Sequence, residues 1–168
     1  MSKKFLVSIV MGSDSDFPIM KETSEFLKKF NVPHDIKILS AHRCPDATSE
    51  FAKIAREYGI KVIIAAAGCA AHLAGVIASH TILPVIGVPM ESKLDGLVSL
   101  LSIVQMPSGI PVATVAIGKA GAINAGILAV QILALSDESL SKKLVEYKKE
   151  LAQKVEEKNR ILQTDGKF

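Results

Sequence analysis

The sequence contains no tryptophan, and aromatic residues make up only 5% of it. A core without many large rings must be filled by aliphatic side chains, which suits closely packed helices and parallel strands. Cysteine is also scarce, with Cys44 and Cys69 the only two in the sequence. They are too few and too widely separated for a disulfide framework or a cysteine-rich zinc site, so we expect a protein of a reducing compartment.

Long hydrophobic runs are missing as well. The amino-terminal apolar stretch, residues 5–11, is too short for a membrane span and leads into Gly12 without a secretory cleavage pattern. The formal net charge is only +3, and much of the basic excess follows residue 140, where it is interleaved with glutamate. Such a mixture is typical of a solvated helix face. We therefore expect a cytoplasmic protein that binds neither membrane nor nucleic acid.

What the sequence does contain is a series of short aliphatic runs. With 168 residues and 49% hydrophobic content, the chain can fill a core as a single domain, residues 1–168. The runs are residues 5–11, 34–39, 61–67, 84–88 and 111–117. Helix-length segments separate them, and this alternation predicts parallel β-α-β units in an α/β protein. We expect the second run to form a buried strand.

Two kinds of helical segment are predicted between and after these runs. Residues 17–30 and 45–59 have the spacing of crossover helices, and Pro45 suits a first helical position. Residues 119–135 are rich in alanine and glycine, so we expect burial on several sides. Residues 137–163, approximately, carry a narrow apolar stripe among charges. A long amphipathic helix after a complete α/β unit predicts packing on a neighbouring subunit, and so an oligomer.

The first candidate site residues follow the first run. Ligands of open parallel sheets bind beyond the carboxyl ends of the strands, near helix N-termini that favour anions. Ser13, Ser15 and Asp16 offer two hydroxyls and a carboxylate at a predicted helix start. These residue types are equally suited to a turn with a helix cap and no ligand. This segment alone favours neither interpretation.

The second and third runs are also followed by chemistry-bearing residues. Ser40 and Arg43 suit phosphate binding, and His42 between them has the residue type for proton transfer near neutral pH. Because the serine-rich loop is expected at the same sheet edge, a functional role for His42 and Arg43 is favoured over a structural histidine and a surface arginine. Residues 65–75 combine small side chains with His72, and could present backbone N–H groups to a ligand. His72 alone is more simply a supporting residue.

Several well-known motifs are missing. There is no glycine-rich dinucleotide loop, no phosphate-binding loop of nucleotide hydrolases, no serine nucleophile elbow and no zinc-protease motif. The four histidines lack metal-ligand spacing, so we expect no metal. The residues themselves therefore predict an α/β domain that binds a small phosphorylated ligand beside one acid–base histidine.

Five segments in order, "MGSDSD", "SAHRCPD", "AGCAAHLAG", "PVIGVP" and "SLLSIVQMPSGIPVATVAIGKAGAINAG", closely resemble the mutase class of the PurE family of purine biosynthesis. The likeness spans about residues 5–135. It implies a three-layer, flavodoxin-like parallel sheet, a homo-octamer whose C-terminal helix packs on a neighbouring subunit, and no cofactor. The implied reaction converts N5-carboxyaminoimidazole ribonucleotide to 4-carboxy-5-aminoimidazole ribonucleotide by decarboxylation and recarboxylation at C4.

The resemblance also implies a role for each site residue. His42 is the acid–base group, which protonates the nitrogen as CO2 leaves and later removes the C4 proton. The remaining residues are expected to bind substrate: Ser13, Ser40 and Arg43 at the phosphate, Asp16 at the ribose hydroxyls, Ala67 and Gly68 through backbone contacts around the carboxylate, and Ser15 and His72 as support.

The sequence departs from the family pattern at Cys44, Cys69, Ala74 and Val98, which stand where Thr, Gly, Pro and Asp are usual. Cys69 matters most, because a side chain at a glycine position resists a positive φ and can crowd the CO2 pocket. Two alternatives stay open. One is the CO2-dependent aminoimidazole ribonucleotide carboxylase, whose class has a different loop at residues 70–73. The other is a catalytically silent phosphometabolite-binding protein.

Overall fold

The structure, a computed structural model, describes residues 4–164 of the chain. The strands are β1 (Val7–Met11), β2 (His34–Ile38), β3 (Val62–Ala67), β4 (Val85–Pro89) and β5 (Ala113–Thr114). The helices are α1 (Phe17–Lys29), α2 (Pro45–Ile54), α3 (Leu73–His80), α4 (Leu97–Val104), α5 (Gly118–Ala134) and α6 (Glu138–Thr164). The chain divides into two compact units, residues 1–132 and residues 133–168. The assignment of all 168 residues to one domain stays a prediction, and residues 1–3 and 165–168 lie outside the described part.

The five strands form one parallel sheet in the order β2-β1-β3-β4-β5. This order confirms the predicted flavodoxin-like α/β fold. All residues of β1, β3 and β4 are buried, as their continuous aliphatic sequences require in a sheet covered on both faces. Each predicted apolar run contains a strand, although β5 has only two residues.

The prediction that the second run is a buried strand is wrong. β2 lies at the edge of the sheet, and Ile36 and Ile38 are exposed. Lys37 and Asp35 in the same strand form an ion pair at 2.9 Å. An edge strand has one neighbour and needs fewer buried side chains, and its charged residues discourage pairing with another chain. Its alternating pattern was therefore that of a half-exposed strand.

Helices cover both faces of the sheet. On one face, α2, α3 and α4 enclose an aliphatic cluster that includes Ala52, Ile63, Ile77 and Ile103. On the other face, α1 and α5 approach closely, and the Thr23 hydroxyl donates to the carbonyl of Ala122 at 2.6 Å. Small residues of α5, such as Ala122, permit this close approach of the two helices. The helices hold the strand ends in place, and those ends carry the candidate site.

One glycine in α5 is required by packing. A Cβ atom on Gly121 would lie 1.6 Å from the carbonyl oxygen of Ala116, a distance that no side chain tolerates. The alanine- and glycine-rich composition of α5 therefore reflects close approach of backbone. Lys119, Asn124 and Gln131 are exposed, so within this single chain α5 is buried along one face only. Its predicted burial on several sides stays a prediction that involves other subunits.

The second unit consists chiefly of α6, a helix of 27 residues. Asp137 caps its start by accepting hydrogen bonds from the backbone N–H groups of Ser139 and Leu140, at 2.9 and 3.1 Å. Val145, Leu151 and Val155 are exposed apolar residues on this helix. Within residues 4–164, no helix combines the length and the apolar character that a membrane span needs.

Candidate active site

A cleft of about 450 Å³ lies at the carboxyl ends of the strands. Its lining comes from the segments that follow β1, β2, β3 and β4, as expected for a parallel sheet. All nine predicted site residues line this cleft: Ser13, Ser15, Asp16, Ser40, His42, Arg43, Ala67, Gly68 and His72. The structure thus places these residues together, although three segments distant in sequence supply them.

The segment after β1 is both a helix cap and a wall of the cleft. The Ser13 hydroxyl accepts a hydrogen bond from the Ser15 N–H at 3.3 Å and caps the single helical turn Asp14–Asp16. The Ser15 hydroxyl donates to the Ser13 hydroxyl at 3.0 Å. Both hydroxyls are exposed in the cleft, so capping leaves them able to contact a ligand. The two interpretations of this segment are compatible.

Asp16 is the carboxylate at this end of the cleft. Partial burial raises the pKa of its side chain above the ordinary value of 3.8, because desolvation disfavours the charged form. The nearby Asp14 raises the pKa further, whereas hydrogen bonds from the Ser13 backbone and the Ser15 side chain lower it. The carboxylate therefore has a destabilising contribution that a hydrogen-bonding ligand would offset.

Arg43 links the second loop to the first. Its Nη2 donates to the carbonyl oxygen of Gly12 at 2.7 Å, and its Nε donates to the Ser40 hydroxyl at 3.4 Å. The Arg43 backbone N–H also donates to that hydroxyl, at 3.2 Å. Guanidinium has five N–H donors, so several stay available to an anion. Arg43 and Ser40 are thus held side by side at the cleft.

Cys44, next in the chain, fixes the loop that carries these residues. Its thiol accepts a hydrogen bond from the Ser40 N–H at 3.1 Å and donates to the Ser40 carbonyl at 3.3 Å. Its backbone carbonyl accepts from the Thr48 hydroxyl at 3.0 Å, inside α2. The thiol therefore makes two contacts that close the turn with Ser40. The departure at Cys44 leaves the loop intact.

His42 and His72 are in direct contact across the cleft. The Nε2 atom of His42 lies 2.9 Å from Nδ1 of His72, and the rings meet edge to face at 89°. A hydrogen bond at this distance requires one nitrogen to carry the proton and the other to accept it. His72 is the N-cap residue directly before α3, so the position of the helix start determines where the His42 ring points. His72 therefore orients the predicted acid–base group.

The third loop has the strained conformation that its sequence suggested. Cys69 adopts φ +55°, in the left-handed region that glycine favours, and lines the cleft. Its carbonyl accepts a hydrogen bond from the Ala71 N–H at 2.9 Å, which closes the turn into α3. Gly68, beside it, has room for a Cβ atom, since the nearest contact would be Met90 at 3.5 Å. The backbone conformation therefore favours glycine at position 69, whereas position 68 has room for a side chain.

The departures at Ala74 and Val98 lie outside the cleft lining. Ala74 is fully buried in the aliphatic cluster on α3, where a small helix-forming residue fits. Val98 lies in the first turn of α4 and is exposed. Asp95 is exposed and left-handed, with φ +52°, and it does not line the cleft either. Asp95 therefore supplies no substitute carboxylate to the cleft.

Two cleft residues with polar side chains were not predicted from the sequence. Glu91 and Ser92 follow β4 and line the cleft beside the predicted residues. Ser92 is held by a 2.9 Å hydrogen bond between its hydroxyl and that of Ser99. The signal was present, because β4 ends at the same sheet edge as the strands before it. Applying the strand-end rule to the fourth run would have found both residues.

The fold and the cleft define an α/β protein of flavodoxin-like topology with an arginine- and histidine-lined cleft at the strand ends. Comparison with known proteins gives the family. Residues 6–154 match the model of the AIR carboxylase family, and the chain belongs to that family.

Similar proteins cover nearly the whole chain. A Pyrococcus horikoshii protein named N5-carboxyaminoimidazole ribonucleotide mutase is 58% identical over 98% of this chain and 93% of its own length. A Bacillus subtilis protein of the same name is 59% identical over 89% of this chain and 93% of its own length. The crystal structure of Treponema denticola PurE is 30% identical, with a TM-score of 0.83, and the match covers 94% of this chain and 98% of that one.

Proposed function

We propose that this chain is an enzyme that converts N5-carboxyaminoimidazole ribonucleotide to 4-carboxy-5-aminoimidazole ribonucleotide in purine biosynthesis. One observation carries the proposal: a histidine, a guanidinium and three serine hydroxyls from separate loops line one cleft at the sheet edge. The names of the similar proteins from Pyrococcus horikoshii and Bacillus subtilis support the same reaction. No cofactor is needed for this chemistry.

The phosphate is assigned to the end of the cleft formed by β1 and β2. Arg43 is fixed there by Gly12 and Ser40, with the Ser13 hydroxyl beside them. Charge-assisted bonds from guanidinium to phosphate are among the stronger hydrogen bonds in proteins. Asp16, an acceptor when ionised, suits the ribose hydroxyls next to the phosphate.

The carboxyl transfer is assigned to His42. As the bond between the exocyclic nitrogen and the carboxylate breaks, the imidazolium form of His42 gives its proton to that nitrogen, and CO2 is released inside the cleft. The electron-rich C4 atom then attacks CO2 and forms the new carbon–carbon bond. Neutral His42 removes the proton from C4, which restores the aromatic ring and the imidazolium. Protons and electrons balance over the cycle.

The loop at Ala67 and Gly68 is assigned to the carboxylate and the CO2. Its small side chains leave the backbone accessible to the ligand. Trapping CO2 beside its acceptor replaces an encounter in solution, and well-oriented intramolecular reactions gain up to about 7–11 kcal/mol in this way. His72 contributes by orienting His42.

A homo-octamer is part of the proposal. The exposed apolar residues Val145, Leu151 and Val155 on α6 support packing of this helix on a neighbouring subunit. Sedimentation of the purified protein measures the assembly directly. Replacing Leu151 and Val155 together by glutamate is expected to yield smaller species, whereas replacing the exposed Glu156 by glutamine is expected to leave the assembly unchanged.

The activity is tested with the purified chain and its His42→Asn variant. Given the N-carboxylated ribonucleotide, the wild-type protein is expected to form the C4-carboxylated product without added bicarbonate, and the variant to lose about 100-fold or more in rate. Faster turnover of the unsubstituted amine with bicarbonate would indicate the CO2-dependent carboxylase instead. Binding without turnover of either compound would indicate a silent phosphometabolite-binding protein. The His80→Asn variant, changed at the exposed end of α3, is the matched control.

A further inference from the structure

Glu91 brings a carboxylate into the cleft that neither the sequence motifs nor the proposed reaction explain. The residue follows β4, lines the cleft and is exposed. Among the described residues, its side chain has no hydrogen-bond or ion-pair partner. An ionised carboxylate accepts hydrogen bonds and donates none. Glu91 is therefore available to a ligand that offers an N–H or O–H group.

The fold keeps this carboxylate in a defined place. A Cβ atom on Gly118 would lie 2.7 Å from Oε1 of Glu91 and 3.3 Å from Cδ. The carboxylate thus rests against Gly118, the first residue of α5, and the missing side chain of this glycine leaves room for it. The positive end of the helix dipole also favours a negative charge there. Packing and charge together hold Glu91 at the cleft.

The cleft is consequently polarised along the sheet edge. Arg43 lies beyond β2, and Glu91 lies beyond β4. The strand order β2-β1-β3-β4 separates these two strands by three spacings. At about 4.8 Å per spacing these two strands are about 14 Å apart, a span that a sugar phosphate and its base together can bridge. A ligand with its phosphate at Arg43 points its heterocycle toward Glu91.

We propose that the Glu91 carboxylate accepts a hydrogen bond from the exocyclic amine of the substrate's imidazole and so positions the nitrogen that carries the carboxylate. This inference rests on the proposed function, because it names the part of that substrate that Glu91 touches. The anionic end of the substrate is bound by Arg43, and the N–H-bearing end by Glu91. A ligand without the amine would leave Glu91 unpartnered.

The test compares two ligands that cannot be turned over. They are 5-aminoimidazole ribonucleotide without added bicarbonate, and the matching imidazole ribonucleotide that lacks the amine. Calorimetric titration gives the ratio of their dissociation constants. Wild-type protein is expected to favour the aminated ligand by about tenfold or more, as for a hydrogen bond to a charged group. Glu91→Ala is expected to bring this ratio close to one.

Further variants separate the possible causes of a change. Glu91→Gln keeps an oxygen acceptor without the charge, so an intermediate ratio is expected. Arg43→Ala is expected to weaken both ligands by the same factor and leave the ratio unchanged. Glu57→Ala, at an exposed glutamate outside the cleft lining, should match the wild type in both affinities.

The inference is overturned if Glu91→Ala discriminates between the two ligands as well as the wild type does, or if the wild type binds both equally. Neither result depends on turnover. A wild-type enzyme that converts the N-carboxylated substrate while Glu91→Ala retains the ratio would refute only the role of Glu91. A protein that shows the ratio but no turnover would refute only the proposed reaction.

Discussion

The Nε2 atom of His42 lies 2.9 Å from Nδ1 of His72, although 30 positions separate the two residues in the sequence. His42 follows β2 and His72 directly precedes α3, so the contact spans the cleft. The hydrogen bond engages Nε2 of His42 and leaves its Nδ1 without a hydrogen-bond partner among the described residues. The tautomer and the direction of the His42 ring, the proposed acid–base group, thus depend on a second histidine.

Removing this partner is expected to lower the rate without weakening substrate binding. His72→Leu should reduce kcat by up to about tenfold, the value of one net hydrogen bond, with KM little changed. His72→Asn places an amide group near the position of the ring nitrogen and should recover most of kcat. Steady-state kinetics of the two variants provide the measurement. Equal losses in both variants would point to a purely structural role for His72.

Arg43 is expected to act on binding rather than on chemistry. Arg43→Ala should raise KM by about 10- to 100-fold with a smaller change in kcat, because it removes charge-assisted hydrogen bonds to phosphate. Inorganic phosphate should compete with substrate in the wild type and much less in the variant. Arg56→Ala, an exposed arginine after α2, is the matched control. A variant with unchanged KM would remove Arg43 from the phosphate site.

Cys69 stores conformational strain that glycine would release. A left-handed residue with a side chain costs about 1–2 kcal/mol, whereas glycine costs about 0.4–1 kcal/mol through the entropy of the unfolded chain. Cys69→Gly should therefore raise the free energy of unfolding by up to about 1 kcal/mol, or Tm by about 2–4 °C. Cys69→Ala keeps the strained φ and should not show this gain. Equal Tm values for the two variants would contradict the strain argument.

We expect Asp16 to lower the free energy of unfolding near neutral pH and to strengthen ligand binding. Because burial raises its pKa, the folded state binds the Asp16 proton more tightly than the unfolded state does. The free energy of unfolding therefore falls as pH rises from the unfolded-state pKa through the folded-state pKa. Asp16→Asn removes this loss, so its stability relative to the wild type should be greater at pH 7 than at pH 3.

Two measurements on Asp16→Asn check this expectation. Urea unfolding at both pH values gives the stability difference, and calorimetry gives the affinity for the ribonucleotide. The variant should be more stable than the wild type at pH 7 yet bind the ligand about tenfold less tightly, the loss expected for a hydrogen bond to a charged group. A stability difference independent of pH would contradict the assigned pKa direction.

The edge strand shows where sequence patterns were ambiguous. Residues 34–39 have enough aliphatic character for a strand, and β2 is one, yet Ile36 and Ile38 are exposed. Alternation predicts that a segment is extended, but it does not say how many neighbours the strand has. The position of β2 follows from the order of all five strands, which depends on the connections between them.

Glu91 is a second example of a feature that local sequence patterns leave undetermined. Its residue type does not mark it as a ligand-binding group, and only its position after the fourth apolar run indicates that it lies at the shared sheet edge. Its place in the cleft arises because β4 ends at the shared edge and because Gly118 leaves space for its carboxylate. That space is created by two segments 27 positions apart in the chain, Glu91 and Gly118.

By itself, the sequence determined the α/β class, the existence of each strand, and the residues that gather at the strand ends, because periodicity and residue chemistry are local properties. It also indicated strain at Cys69, because a side chain was present where the loop favours glycine. The tertiary structure decided which strand lies at the edge, that His42 meets His72, and that the Glu91 carboxylate rests against Gly118. Those facts depend on distances between segments that only packing of the whole chain brings together.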